Sequence, residues 1–315
     1  MQWPGLIGAL RQWGVFAVFA IMCVTFSILQ PGRFATLDNV LVMLSNSAAL
    51  TLAAVALTVV LALGQFDLSF AAVIGLSGAI GVYSMNQWGG GTAIAIGLAL
   101  AVGAIIGVAN GLMVGYGRVP ALIGTLAVGS AATGIEVSIM RQNTVYEGIK
   151  PSYVAIASKH VLGVPLGVFV TIAIVLVVWG MLSSTVLGRR IYAIGSGEEA
   201  ARLAAVRTRA VILGSFVATG VIAGAAGVIV TSQASSYYPD SGTPYLLPAF
   251  AAAFLGFSAI GGRRFHPLAT FFGVIFTQVL ATGLAMLNAP PWATNLSSGI
   301  VLAAAVLLVR GKTVR

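Results

Sequence analysis

Leu187–Arg209, LGRRIYAIGSGEEAARLAAVRTR, is a long polar and basic segment that divides an otherwise apolar sequence. Apolar runs flank it on both sides, and the five arginines within it lie close to the ends of those runs. Basic residues beside apolar spans indicate the cytoplasmic side of a membrane. The segment 187–209 is therefore predicted to be cytoplasmic and to lie between membrane-spanning helices.

The composition identifies lipid as the solvent of this chain. Of its 315 residues, 59% are hydrophobic and 7% are charged, which is more apolar surface than a soluble domain of this length buries. The sequence predicts one all-α domain over residues 1–315 that crosses a membrane several times. Since charged residues are so few, the net charge of +9 indicates orientation and gives no sign of nucleic-acid binding.

About 20 mainly apolar residues are needed to cross a bilayer as a helix. Ten candidate spans are predicted: Trp13–Leu29, Ser45–Leu63, Leu68–Tyr83, Thr92–Tyr116, Ala121–Met140, Pro165–Ser183, Ala210–Thr231, Leu246–Gly261, Pro267–Leu287 and Ala293–Val309. With a cytoplasmic N-terminus, alternation places 12 of the 16 Lys and Arg residues inside. An odd number of spans would separate the basic clusters 189–209 and 310–315, so we predict ten spans with both termini cytoplasmic.

The junction between the second and third spans reads Gly64-Gln65-Phe66-Asp67-Leu68-Ser69. Gly64 suits the left-handed conformation that ends a helix. Asp67 is then either a cap that accepts hydrogen bonds from the first amides of the next helix or a carboxylate at a translocation path. The spacing favours the cap. Four residues are candidates to line a translocation path: Asp67, Ser69, Thr125 and Gln278.

Four glycines of the fourth span follow one another at intervals of four residues: Gly103, Gly107, Gly111 and Gly115. This spacing predicts a smooth helix face that packs closely on another helix. Asn110 lies beside the stripe and is expected to bond across the same contact. Glu136 and Gln278 lie inside predicted spans, where each is expected at least to bond a neighbouring helix.

Within the segment 187–209, Ser196-Gly197-Glu198-Glu199 matches the capping-box pattern of a helix start. Arg202 follows Glu198 by four positions, which favours an ion pair. A short helix over 196–206 is predicted, and one so short is marginal alone in water. It is either a coupling helix that inserts into a partner, or a charged loop that only sets orientation. The coupling residues would be Ser196, Glu198, Glu199, Arg202 and Leu203.

The sequence lacks the chemistry of an energy source. Gly311-Lys312-Thr313 resembles the end of a P-loop, but Val306 stands where that loop needs glycine. The two His and one Cys have no metal-ligand spacing. No catalytic, cofactor or metal site is predicted, and the chain is not expected to be an enzyme. A transporter of this kind would take its energy from a separate subunit.

Four segments together resemble one family. They are Asp67-Leu68-Ser69 after Gly64, Val119–Leu126 (VPALIGTL), Gly188–Leu203 (GRRIYAIGSGEEAARL) and Ala251–Gly262 (AAAFLGFSAIGG). In these segments the chain resembles the permease subunits of bacterial ribose-type ABC importers, in the branched-chain permease superfamily. It departs from the family pattern at Ser196-Gly197, where Gly-Asn is usual, and at Phe70-Ala71, where Val-Gly is usual.

The resemblance implies a ten-helix fold similar to the vitamin B12 importer (type II-like) class, in a bacterial inner membrane. It implies cytoplasmic ATPase subunits, a periplasmic or lipid-tethered binding protein and a second permease, either a copy or a paralogue. The substrate would be a ribose-like monosaccharide or polyol. A nucleoside or a branched-chain amino acid is the alternative within the class. An ion-coupled secondary transporter using Asp67 and Glu136 is the alternative from another class.

Overall fold

A computed structural model describes the backbone over residues 4–259 and 264–313, and side chains within 14–307 except at 260–263 and 291. The end of the family-like segment Ala251–Gly262 and the basic C-terminal side chains lie outside these residues. The described α-helices are α1 Pro4–Leu29, α2 Leu37–Ala62, α3 Phe70–Trp88, α4 Thr92–Gly111, α5 Ala121–Met140, α6 Pro151–Ser158, α7 Leu166–Ser184, α8 Val186–Ser196, α9 Glu198–Leu203, α10 Thr208–Ala234, α11 Leu246–Ala259, α12 Pro267–Met286 and α13 Pro291–Thr313.

Three short elements complete the described chain. A π-helical turn, Leu112–Tyr116, extends α4, and a 3-10 turn, Thr243–Tyr245, precedes α11. Strands β1 His160–Val161 and β2 Val164–Pro165 form an antiparallel hairpin before α7. The fold is all-α apart from this hairpin, as the composition predicts.

Each of the ten predicted spans overlaps one helix: α1 to α5, α7 and α10 to α13. Within the part of the chain that the structure describes, six helices are long and apolar enough to cross a membrane, namely α2, α4 with its π-turn, α5, α7, α10 and α12. Shorter apolar stretches lie within α1, α11 and α13. α3 is not among these six helices, because it ends in the polar residues Ser84, Asn86 and Gln87. The chain is thus a polytopic membrane protein, and the number of ten crossings stays a prediction.

Helices α2 and α10 lie at the centre and pack against each other. Two thirds of the apolar span of each is buried, because α3, α4, α11 and α12 surround them. The threonine hydroxyls of Thr58 and Thr270 bond at 2.7 Å and connect α2 to α12. Such interhelical hydrogen bonds stabilise helix packing where lipid offers no partner.

The glycine stripe of α4 packs on α10, which confirms the prediction from its spacing. A Cβ on Gly103 would lie 2.1 Å from the carbonyl oxygen of Gly220, and one on Gly107 would lie 2.4 Å from that of Phe216. Gly111 and Gly115 approach the backbone of α10 in the same way. Since no side chain fits these gaps, the two backbones meet directly.

The helices α2–α5 and α10–α13 form two halves with the same pattern. Each half is a long buried helix, a break, and three further helices. α10 packs against α3 and α4 of the first half, and α2 packs against α11 and α12 of the second. The break after α2 lies at the end of the molecule that holds α8, since Gly64 contacts Gly195. The break after α10 pairs with the segment after α5 instead, through Val145 and Tyr237.

Candidate functional site

The polar segment 187–209 folds as two short helices, α8 and α9, joined at Gly197. We predicted one helix over 196–206 with Ser196 as its cap, and this prediction is wrong. Ser196 is the last residue of α8, and its hydroxyl donates to the carbonyl oxygen of Tyr192 at 2.9 Å. The buried isoleucines of α8 extend its packed face to this point, so the hydroxyl is used inside α8. α9 begins after Gly197 without a side-chain cap.

Charged and apolar side chains of α9 are exposed. Arg202 bonds Glu199 at 2.6 Å, so the predicted pair with Glu198 is wrong. Side chains three and four residues apart both lie on one helix face. The sequence alone therefore could not decide whether Arg202 pairs with Glu198 or with Glu199. The pair is more than half exposed and therefore adds at most about 1 kcal/mol to stability. Leu203 is 81% exposed, so the tip of α9 carries an uncovered apolar side chain.

The backbone of α8 touches its neighbours at two glycines. A Cβ on Gly188 would lie 2.2 Å from the carbonyl oxygen of Leu182, at the end of α7. A Cβ on Gly195 would lie 2.2 Å from the carbonyl oxygen of Ala62, the last residue of α2. Only glycine permits such an approach. α8 therefore lies directly against the end of α2, beside the break between α2 and α3.

The segment before α12 also contacts α8, through Tyr192. The Tyr192 hydroxyl donates to the carbonyl oxygen of Phe265 at 2.7 Å, and the Arg264 guanidinium lies 5.2 Å from the Tyr192 ring centroid. Burial raises the pKa of Tyr192, partly offset by Arg264, so the phenol stays a donor. Burial and Arg264 both lower the pKa of His266. α8 thus connects the ends of α2, α7 and α12.

The break between α2 and α3 gathers three of the four predicted path residues. Gly64 has the predicted left-handed backbone, with φ of +73°. Asp67 is 2% exposed, and its Oδ1 accepts from the Ser69 amide at 2.7 Å and from the Ser69 hydroxyl at 2.6 Å. The Leu68 amide donates to the Thr125 hydroxyl at 3.0 Å. Asp67 thus bonds Ser69, the residue at the N-cap position of α3, which makes no side-chain cap bond itself, and Thr125 ties the break to α5.

Asn110 belongs to this cluster, although we expected it at the α4–α10 contact. Its Nδ2 donates to the Ser69 hydroxyl at 2.7 Å, because Asn110, the residue before Gly111, faces the break instead of α10. Its polarity inside an apolar span was the available signal. Gln278, the fourth predicted path residue, lies on α12 away from the break. We expected it to bond a neighbouring helix, but its Nε2 donates to Thr282 at 3.2 Å within α12, because the two side chains are one turn apart.

The two ends of α5 each border a cavity. The first, of about 550 Å³, lies at the end of the molecule that holds α8 and α9, hereafter the basic end. Its charged lining residues are Arg118, Glu198, Glu199, Arg202 and Arg209. The second, of about 340 Å³, lies at the opposite end, where α3 and α5 finish. Its lining residues are Tyr83, Asn86, Gln87, Ile139, Met140, Arg141, Asn143 and Val145.

Helix α5 combines high exposure with low apolarity. It is the least apolar of the six long helices, yet it and α4 share the lowest burial, 28%. The exposed face of α4 carries large apolar residues such as Ile94 and Ile105, which suit lipid. That of α5 carries large apolar residues as well, such as Ile123 and Leu126, but it interleaves them with Ser130, Thr133 and Gly134. Small and hydroxyl-bearing residues suit a contact with another protein.

Glu136, near the end of α5, is buried and bonded to the second break. The Tyr237 hydroxyl donates to its Oε1 at 2.7 Å. Tyr237 also exchanges two backbone hydrogen bonds with Val145, at 2.8 and 2.9 Å. Glu136 thus bonds Tyr237 in the segment after α10, where we expected a bond to a neighbouring helix, and holds the break after α10 against α5. The sequence offered no sign of this pairing, because the partners are 101 residues apart.

Comparisons with known proteins agree with this arrangement. The family model described as the permease component of branched-chain amino acid transport systems matches residues 39–306. A ribose import permease of Bacillus subtilis (strain 168) is 31% identical over 307 residues, 97% of this chain and 95% of the relative. An autoinducer 2 import permease of Photorhabdus laumondii is 30% identical, over 94% and 90%.

A third relative is the D-allose transport permease of Escherichia coli (strain K12). It is 27% identical, over 95% of this chain and 91% of the relative. No solved structure matches the chain. The family comprises permease components of ABC transporters, which have no catalytic activity of their own and work with a separate ATPase. The chain belongs to this family of membrane permease components.

Proposed function

We propose that this chain is the permease subunit of a bacterial ABC importer for a monosaccharide or related polyol. The observation that carries the proposal is the packing of α8: Gly195 lies directly on Ala62, at the break that α5 borders. In this proposal the basic end is cytoplasmic, and a separate ATPase binds α9 through Glu198, Glu199, Arg202 and the exposed Leu203. Its motion reaches the break through α8 as a rigid-body shift.

The translocation path runs along the exposed face of α5, between the two cavities. A second permease, either a copy or a paralogue, covers this face and supplies the other wall. Asp67 and Ser69 hold the cytoplasmic end of the path in shape, and Thr125 connects them to α5. A binding protein delivers the solute at the opposite, periplasmic end.

The relatives support the sugar class. Among proteins similar to this chain, one is named for ribose import and one for D-allose transport. The family description names branched-chain amino acids, so the substrate class is the part of the proposal that most needs a direct test.

Reconstitution tests the proposal. The chain, tagged and purified in mild detergent with its co-expressed ATPase and binding protein, should retain the ATPase and import labelled D-ribose or D-allose when ATP is supplied. A chain that never retains an ATPase contradicts the coupling role. A complex that hydrolyses ATP but imports only labelled leucine contradicts the substrate class.

A further inference from the structure

The cavity at the opposite end of α5 has a mixed polar and apolar lining that carries one positive charge. Three side-chain amides and one phenol contribute donors and acceptors, and Arg141 contributes one positive charge: the residues are Tyr83, Asn86, Gln87, Asn143 and Arg141. Ile139, Met140 and Val145 add an apolar surface. No carboxylate is among the described residues that line it. Such a lining matches a small neutral ligand with many hydroxyl groups.

Several lining groups are held in place before any ligand arrives. Asn86 Nδ2 donates to the carbonyl oxygen of Glu147 at 3.0 Å, and Gln87 Nε2 donates to Asn86 Oδ1. The Tyr83 ring packs edge-on against Trp88, with centroids 5.5 Å apart and planes at 89°. A pre-arranged site loses less side-chain entropy when a ligand binds.

The cavity volume fits one small molecule. At about 340 Å³, it lies at the lower end of the range of ligand pockets, roughly 300–1,000 Å³. Amides suit sugars because each offers both donors and an acceptor, so it pairs with a hydroxyl in either orientation. The Tyr83 ring and the apolar residues offer a surface for the C–H face of a sugar ring.

The charges of the lining discriminate between substrate classes. An amino acid would bring an ammonium group, which needs an anionic or multiple-acceptor partner when it leaves water. Arg141 can pair with the carboxylate of an amino acid, but the described lining offers no carboxylate for its ammonium group. A neutral polyol brings no ammonium group and needs no anionic partner.

We infer that this cavity is a sugar-binding site at the mouth of the permease, used after the binding protein releases its ligand. The inference rests on the proposed function and adds the residues that receive the substrate. Gln87 and Asn143 would donate to and accept from its hydroxyls, and Tyr83 would lie against its ring. The position fits because Ile139 to Arg141 end the exposed face of α5, so a ligand here stands at the start of the proposed path.

The test compares variants in the complete importer, with permease, ATPase and binding protein reconstituted in vesicles. Import of labelled D-ribose and D-allose by Gln87→Ala with Asn143→Ala should fall roughly fivefold or more, since each lost hydrogen bond is worth about 1 kcal/mol. ATPase stimulation by the loaded binding protein should stay within twofold of wild type. Gln30→Ala, the same kind of side chain outside this cavity, should leave import unchanged.

A second variant guards against misfolding of the first. Asn143→Trp adds bulk at an exposed loop position and should block import while the protein accumulates normally. If wild type imports sugar and both cavity variants match Gln30→Ala, the binding site is refuted and the proposed function stands. If wild type imports neither sugar, the proposed function itself fails. Equal loss of ATPase stimulation and import would also refute the site, because it would indicate a docking defect.

Discussion

The two cavities that border α5 differ in chemistry although they share one helix. At the basic end, three arginines and two glutamates line the space, beside an α9 that leaves Leu203 uncovered. At the opposite end, amides and a phenol dominate, and the described lining holds no carboxylate. Opposed charges favour a protein partner held by electrostatic complementarity. Amides favour a neutral solute. Under the proposed function, this difference places the docking of the ATPase at one end and the entry of substrate at the other.

The largest expected effect concerns the contact through which the basic end reaches the path. A Cβ at position 195 would lie only 2.2 Å from the Ala62 carbonyl oxygen, so Gly195→Val forces atoms to overlap. Overpacking of this kind costs about 1–3 kcal/mol or more. α8 should separate from α2, and sugar import by the reconstituted complex should fall more than tenfold.

Gly180→Val is the matched control for that variant. It makes the same change in a helix, α7, where a Cβ would meet nothing within 4 Å. Import should stay near the wild-type rate. If Gly195→Val also imports normally, the backbone contact between α8 and α2 does not transmit motion.

The second prediction reverses charge at the basic end without removing its ion pair. Glu199→Arg combined with Arg202→Glu keeps opposite charges at the same spacing, so α9 should fold as before. ATPase binding to the purified permease should weaken about tenfold, because charges matched to the partner would now repel it. Titration of labelled ATPase measures this. Unchanged binding would show that α9 is not the docking element.

The helix positions, the glycine stripe and the left-handed Gly64 were predictable from the sequence because each depends on local spacing. Glycines four apart must share a face, and Gly64 follows the last residues of an apolar run. The boundary of α8 was not predictable, since Ser196 suited either a cap or a helix end and packing decided between them. The cavity at the opposite end escaped prediction because α3, α5 and a loop contribute its residues. The hydrogen-bond partners of Asn110 and Glu136 also escaped prediction, because they lie far away along the chain.

The third prediction concerns a hydrogen bond at the opposite end, whose loss should lower folding stability without changing ATPase binding at the basic end. Tyr237→Phe removes the hydroxyl that donates to buried Glu136, and a buried acceptor without its donor costs about 1–3 kcal/mol. The melting temperature of the purified permease should fall, while ATPase binding at the basic end stays unchanged. Tyr146→Phe, at a side chain 70% exposed, is the control. A stable Tyr237→Phe variant would mean that this hydrogen bond is dispensable.

The smallest expected effect is the response of the two ends to salt. Raising ionic strength from about 0.1 M to about 1 M shortens the Debye length from about 10 Å to about 3 Å. ATPase binding at the charge-lined end should weaken severalfold. Binding of D-ribose or D-allose to the amide-lined cavity should change little, and equilibrium dialysis at both salt concentrations measures it. Equal sensitivity of the two would remove the electrostatic distinction between the ends.

The central claim is that a separate ATPase drives the path by contacting α9, and site-directed cross-linking tests it most directly. Cys23 is the chain's single cysteine, so a Cys23→Ser background accepts one reporter at a time. With Leu203→Cys, the reconstituted complex should give a cross-linked permease–ATPase species, and with Tyr146→Cys, at the opposite end, it should give none. Cross-linking to the ATPase from position 146 but not from position 203 would contradict the account.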